Sequence, residues 1–190
     1  EGRMRSACIV WDSDGKAVAR YDKIHLFDMF MAGNGEHYQE SKLYEPGEQV
    51  VTIPTPFGML GLAIGYDLRF AELFYLLRQK GAEIIALPAA FSAATGRSHW
   101  QPLLQARAIE NQVYVLAANQ SGIHANGRAT YGHSMIIGPW GNILAQQEGN
   151  IGYALAEVDL LRLQILREDF PVWSHRKLGA QDGFLIRSGV

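Results

Sequence analysis

The stretch GLAIGYDLRFAEL, residues 61–73, decides how the chain folds. An apolar run stops at Gly65 and gives way to Tyr66, Asp67 and Arg69, after which the apolar positions switch to helical spacing. A buried strand that delivers polar groups at its carboxyl end, just before a helix, is where α/β proteins commonly place their chemistry. The flanking sequence repeats the theme. Residues 70–80, FAELFYLLRQK, read as a helix closed by basic residues and a C-cap at Gly81, and AEIIALP follows as a buried strand. Ser98 to Glu110 reads as a second helix with Ser98 at its N-cap, and VYVLAA as the strand after it.

Further out the pattern changes to hairpins. Residues 6–11 and 17–21 are β-prone runs around DSDGK, whose Asp14-Gly15 pair suits a tight turn. Short strands are expected near 49–53 and 59–64, and the polar stretch 32–48 reads as a long surface loop. HSMIIG and NILAQ flank PWG as a second hairpin; YALAEV reads as a further strand, and Asp159 as the cap of a last helix running to about Arg167. Strand and helix alternations set among hairpins predict a layered α/β fold with a mixed sheet. No internal repeat or low-complexity segment interrupts it.

Composition narrows the function. With 190 residues, 48% hydrophobic and 19% charged, the chain suits one soluble domain. A formal charge of −2 with scattered basic residues offers no footprint for nucleic acid or acidic membranes. No apolar run approaches the ~20 residues that cross a bilayer, and no secretory signal is visible, so a cytoplasmic location is expected. Cys8 is the lone cysteine and reads as a small apolar filler in a strand; the dispersed histidines lack the spacing of a zinc site. The expected partners are a small molecule and further copies of the chain. Glu1 precedes what reads as a hairpin already under way.

YDKIHLFD, HYQES, GLAIGYDLRFAEL, LPAAF, HWQPLLQARAIENQVYVLAANQ and YGHSMIIGPWG occur in this order. Together they resemble the nitrilase superfamily of carbon-nitrogen hydrolases, most closely its omega-amidase and deaminated-glutathione-amidase branch. The resemblance runs from about residue 5 to 175. It implies an αββα sandwich with a mixed β-sheet, here N-terminally incomplete, and assigns residues 1–190 to a single carbon-nitrogen hydrolase domain, its C-terminal two-thirds. Residues 1–5 and about 176–190 would flank it. The resemblance also implies a Glu, Lys, Cys triad assisted by a second Glu, a homodimer, and neither metal nor organic cofactor.

Lys23 in YDKIHL matches the family lysine, and Glu40 in QES the second glutamate. The family cysteine belongs immediately before YDLRF, where this chain has Gly65, and the first glutamate belongs N-terminal of the residues present. The resemblance therefore implies an amidase of small aliphatic carboxylic amides, working through a cysteine acyl-enzyme, in a copy expected to lack turnover. The alternative is a non-catalytic binding or dimerisation module. Lys23 and the backbone N–H of Tyr66 would form an oxyanion hole, with Glu40 keeping the lysine charged. Phe91, Ser92, His99, Trp100 and Asn119 follow strand ends and are expected to line the substrate pocket.

Several of these residues also admit structural readings. Glu40 could belong to a solvated acidic loop, Phe91 and Trp100 to the core, and Asn119 to a turn. Asp67 reads as a turn-fixing carboxylate, and Arg69 with Glu72 as an ion pair at a helix start. Glycine at position 65 would tolerate a tight strand-to-helix bend at little steric cost.

Overall fold

The computed structural model describes residues 2–31, 36–149 and 151–177. At its centre lies a mixed six-stranded sheet. Its strands are β5 (Thr52–Thr55), β6 (Gly58–Leu62), β7 (Ile84–Ala89), β8 (Tyr114–Asn119), β11 (Ser134–Ile137) and β12 (Ile143–Gln147), in the spatial order β12-β11-β8-β7-β6-β5. β6, β7 and β8 are parallel, while β5, β11 and β12 attach antiparallel. Parallel neighbours need crossover connections, which helices α1 (Ala71–Gln79) and α2 (Ala93–Asn111) supply. The strands around residues 61 and 85 are thus adjacent and parallel, as the sequence predicts.

Three two-stranded ribbons surround this sheet: β1 (Ala7–Trp11) with β2 (Ala17–Asp22), β3 (Asp28–Met31) with β4 (Glu36–Gln39), and β9 (Ser121–Ile123) with β10 (Ala129–Tyr131). β4 arises within the stretch 32–48 that the sequence predicts as a loop. Ile85, Leu87 and Val115 pack with Leu77, Leu104 and Ala108, so α1 and α2 share one core cluster with that sheet face. Ile84 and Tyr114, one residue out of step, meet Leu163 of helix α3 (Leu160–Asp169). The period of two along a strand produces this division. Tyr21 carries the β1–β2 hairpin into the larger cluster.

Two further expectations change. Helix α2 begins at Ala93 rather than near Ser98, because Ser92 is the N-cap, its side chain accepting from the Ala94 N–H at 3.3 Å. Pro102 consequently sits in mid-helix. YALAEV is no strand: 152–159 carry no regular assignment and pair with no strand among the described residues. Of the expected flanking segment, residues 178–190 lie outside the described residues. Among those described, no helix is long and apolar enough to cross a membrane.

Candidate functional site

After β6 the chain stays extended through Ile64 and then turns sharply. Gly65 has φ +48° and opens a single 3-10 turn, Gly65–Arg69, that leads into α1. Asp67, fully buried, holds this bend. One of its carboxylate oxygens accepts from the Ile64 N–H at 2.8 Å and the Tyr21 hydroxyl at 2.7 Å. The other accepts from the His25 N–H at 3.1 Å and lies 2.8 Å from His25 Nδ1. The turn-fixing role read from the sequence is what the structure shows. Burial, and then the Asp67 carboxylate beside it, push the Tyr21 phenol well above its ordinary value. This cluster ties the Gly65 bend to the loop after β2, and that loop carries Lys23.

Lys23 is 7% exposed, unusual burial for a lysine unless it is paired. Its Nζ lies 2.6 Å from Glu40 Oε2, and the same oxygen accepts from the Phe27 N–H at 2.6 Å. The Lys23 backbone is fixed on both sides, donating to the Ser6 carbonyl and accepting from the Gly47 N–H, each at 2.8 Å. Glu40 is therefore no member of a solvated acidic loop. It starts the 3-10 turn Glu40–Lys42, which directly follows β4.

Lys23, Glu40, Gly65, Tyr66, Phe91 and Ser92 all lie on the wall of one cavity of about 450 Å³. A Cβ built on Gly65 would come no closer than 4.0 Å to any neighbour, the Ala89 Cα, so the space above the bend is open. The first N–H groups of a helical turn have no partner within it, and Tyr66 is the second residue of this one.

Three residues expected on this wall lie elsewhere. Trp100 is fully buried in the core, donating from Nε1 to the His133 carbonyl at 2.8 Å. Asn119 braces two loops: its Oδ1 accepts from the Phe91 N–H at 2.8 Å and its Nδ2 donates to the Gly132 carbonyl at 2.6 Å. His99 stands behind the wall, with Nδ1 3.2 Å from the Arg69 guanidinium. Cys8 sits half-buried in β1, off the cavity wall, where burial pushes its thiol up.

Two arginines that the sequence reading did not assign to the pocket do line it. Arg69 is not paired with Glu72; its guanidinium lies 4.9 Å from the Phe91 ring centre, its Nε is buried without a hydrogen-bond partner, and burial lowers its pKa. Arg128 comes from the β9–β10 hairpin and stacks 4.1 Å from the Tyr38 ring centre. Arg69, four residues after Gly65, was open to a sequence reading; no local signal places Arg128 here. Lys23 and Glu40 offset each other, so the arginines leave the cavity with an excess of positive charge. Among the described residues, His, Cys, Asp and Glu side chains nowhere gather in threes as metal ligands would.

Comparison with known proteins identifies relatives of the chain. The family model described as carbon-nitrogen hydrolase matches residues 1–168. Deaminated glutathione amidase of Dictyostelium discoideum is 47% identical over 171 residues, covering 90% of this chain and 59% of its own. The Homo sapiens protein of the same name is 46% identical over 170 residues, 89% of this chain and 52% of its own. The crystal structure of the C. elegans NitFhit protein superposes with a TM-score of 0.86 at 44% identity, over 92% of this chain and 42% of that one. A variant of the amidase from Nesterenkonia sp. AN1, showing Michael addition of acrylamide at its active site cysteine, gives 0.70 at 26% identity, over 88% and 62%. The chain thus spans only part of the length of these relatives.

Proposed function

The chain belongs to the carbon-nitrogen hydrolase family, and from that premise we propose that its main cavity receives the amide of a small aliphatic carboxylic acid, and that with Gly65 at the nucleophile position the chain binds such amides without turning them over. The observation that carries this reading is the open space above Gly65 at a positive-φ bend, on the same cavity wall as the Lys23–Glu40 pair. The Nesterenkonia amidase, with its active site cysteine, supports a thiol chemistry for the scaffold.

In that chemistry a thiolate adds to the amide carbon, the amine leaves with a proton, and water hydrolyses the thioester. Negative charge grows on the carbonyl oxygen. Lys23 Nζ and the Tyr66 N–H are the donors that would take it, and Glu40 keeps the ammonium charged and aimed. Arg69, unpaired by any carboxylate among the described residues, suits the acid end of a substrate that is itself a carboxylate. What is missing is the attacking atom. Removing such a nucleophile typically costs on the order of a millionfold in turnover.

The test is ammonia release from succinamate and butyramide, run beside calorimetric binding of the same amides. Binding with release at background level is expected. Sustained release that survives thiol alkylation would mean that another residue attacks, and that Gly65 does not mark the reacting position.

A further inference from the structure

Arg69 lines the main cavity, and no carboxylate among the described residues pairs with it. Its Nη1 lies 3.2 Å from Nδ1 of His99, a residue off the cavity wall. From this contact we infer that His99 is a positioning residue: its imidazole, accepting through Nδ1, holds the Arg69 guanidinium in place at the cavity with the positive charge undiminished. The inference rests on reading the main cavity as an amide site with Arg69 toward the acid end.

The chemistry of the pair fixes the roles. A guanidinium has only donors, so Nδ1 accepts, and the proton of the ring sits on Nε2. An imidazole in that form is neutral. A carboxylate in its place would also orient Arg69, but the ion pair would cancel the charge that an anionic ligand needs. The rings beside Arg69 do not replace this acceptor. The guanidinium carbon lies 4.9 Å from the Phe91 ring centre and 5.8 Å from that of Tyr66, contacts that keep the group near a ring face without choosing where its N–H groups point. Its Nε is buried without a hydrogen-bond partner, which leaves His99 as the directional contact of this side chain among the described residues.

Helix α2 is built to present this acceptor. Thr95, on the cavity wall, and His99 are four residues apart and so share one face of the helix, a turn from each other. About two turns further along, the buried Arg107 donates from Nε to the Leu68 carbonyl at 3.0 Å. The helix therefore grips the Gly65–Arg69 turn at consecutive residues, Leu68 through its backbone and Arg69 through its side chain. Trp100, next to His99, is fully buried and anchors this part of the helix in the core, which sets how far His99 stands from Arg69. A long side chain held in this way has already lost the rotamer freedom that binding an anion would otherwise cost it.

Calorimetry on the full chain with succinamate and butyramide, which differ by a carboxylate in place of a methyl group, tests this. The parent chain should bind succinamate about tenfold tighter, the scale of one charge-assisted hydrogen-bonded pair. In His99→Leu that advantage should fall about fivefold, the scale of ordering one long side chain, with butyramide affinity unchanged. His99→Asn, whose amide oxygen can take the place of Nδ1, should restore most of it, and His99→Glu should remove it by pairing with Arg69. In an Arg69→Gln background His99→Leu should alter neither affinity, a readout that a merely structural role would not give. An advantage undiminished in His99→Leu, or an equal loss for both amides, overturns the positioning role while the amide site stands. Failure of the parent chain to bind either amide overturns the amide site. Independently of any ligand, proton–nitrogen NMR correlations of the His99 ring at about pH 8 should place its proton on Nε2. A proton on Nδ1 overturns the contact itself.

Discussion

At φ +48°, Gly65 occupies backbone that an L side chain enters at a cost of roughly 1 kcal/mol, yet the volume above it is free. Gly65→Cys should therefore fold, lose about that much stability in a denaturant titration, and present a thiol to the cavity. Brief exposure to acrylamide near neutral pH should place one adduct at position 65 by mass spectrometry and little at Cys8, whose thiol is half-buried and pushed up. Adducts confined to Cys8 would show that position 65 does not face the cavity. Lys23→Met leaves the Glu40 carboxylate with the Phe27 N–H but without its cation, and should cost about 2 kcal/mol. Loss of stability within error would demote the pair to a surface contact.

Tyr21 gives the site a pH dependence. Its folded-state pKa lies above the unfolded value of about 10, so the unfolded chain ionises first as pH rises. The stabilisation is complete below that value and is lost progressively above it. Unfolding free energy measured from pH 8 to 11 should fall less steeply in Tyr21→Phe than in the parent chain. Parallel profiles would mean that Tyr21 titrates alike in both states.

Among the elements, α2 shows how a long-range contact reverses a local preference. Replacing a mid-helix glycine by alanine ordinarily stabilises by about 1 kcal/mol. At Gly96 a Cβ would stand 2.4 Å from the Tyr131 Cβ, because the β10 strand crosses the helix there. Gly96→Ala should instead destabilise, by roughly 1–3 kcal/mol as for other overpacked sites. An increased melting temperature would show that Tyr131 moves aside freely. Ser98 reads as the N-cap in the sequence, whereas Ser92, six residues earlier, caps the helix in the structure. Asn119 is comparable. Polar at the end of an apolar strand, it reads as a pocket residue, but its amide is spent on the backbone of Phe91 and Gly132.

On the scale of the whole molecule, the run between β12 and α3 leaves Ile151, Tyr153 and Leu155 exposed at alternate positions. That alternation is why the run reads as a strand; among the described residues it pairs with no strand edge. Clustered exposed apolar side chains promote association. Light scattering on the isolated chain should find it self-associated, with Leu155→Lys shifting it toward monomer. A monodisperse parent chain would remove the basis for expecting copies of itself as partners.

What the sequence by itself determined is what local periodicity and turn chemistry encode. Alternation and helical spacing around residues 61–119 dictate parallel strands joined by helices, and the same stretch puts Gly65 on the bend between β6 and α1. The pairing of Lys23 with Glu40 was legible through the motifs around them. The tertiary structure alone decided which side chains meet across long separations. Arg128 reaches the His37 carbonyl 91 residues away, Trp100 turns inward to His133, and Arg69 forgoes the neighbouring Glu72 for Phe91 and His99. These contacts follow from how hairpins and helices pack around the central sheet. Spacing along the chain specifies which face a residue occupies, whereas its partner on that face is set by which element packs against it.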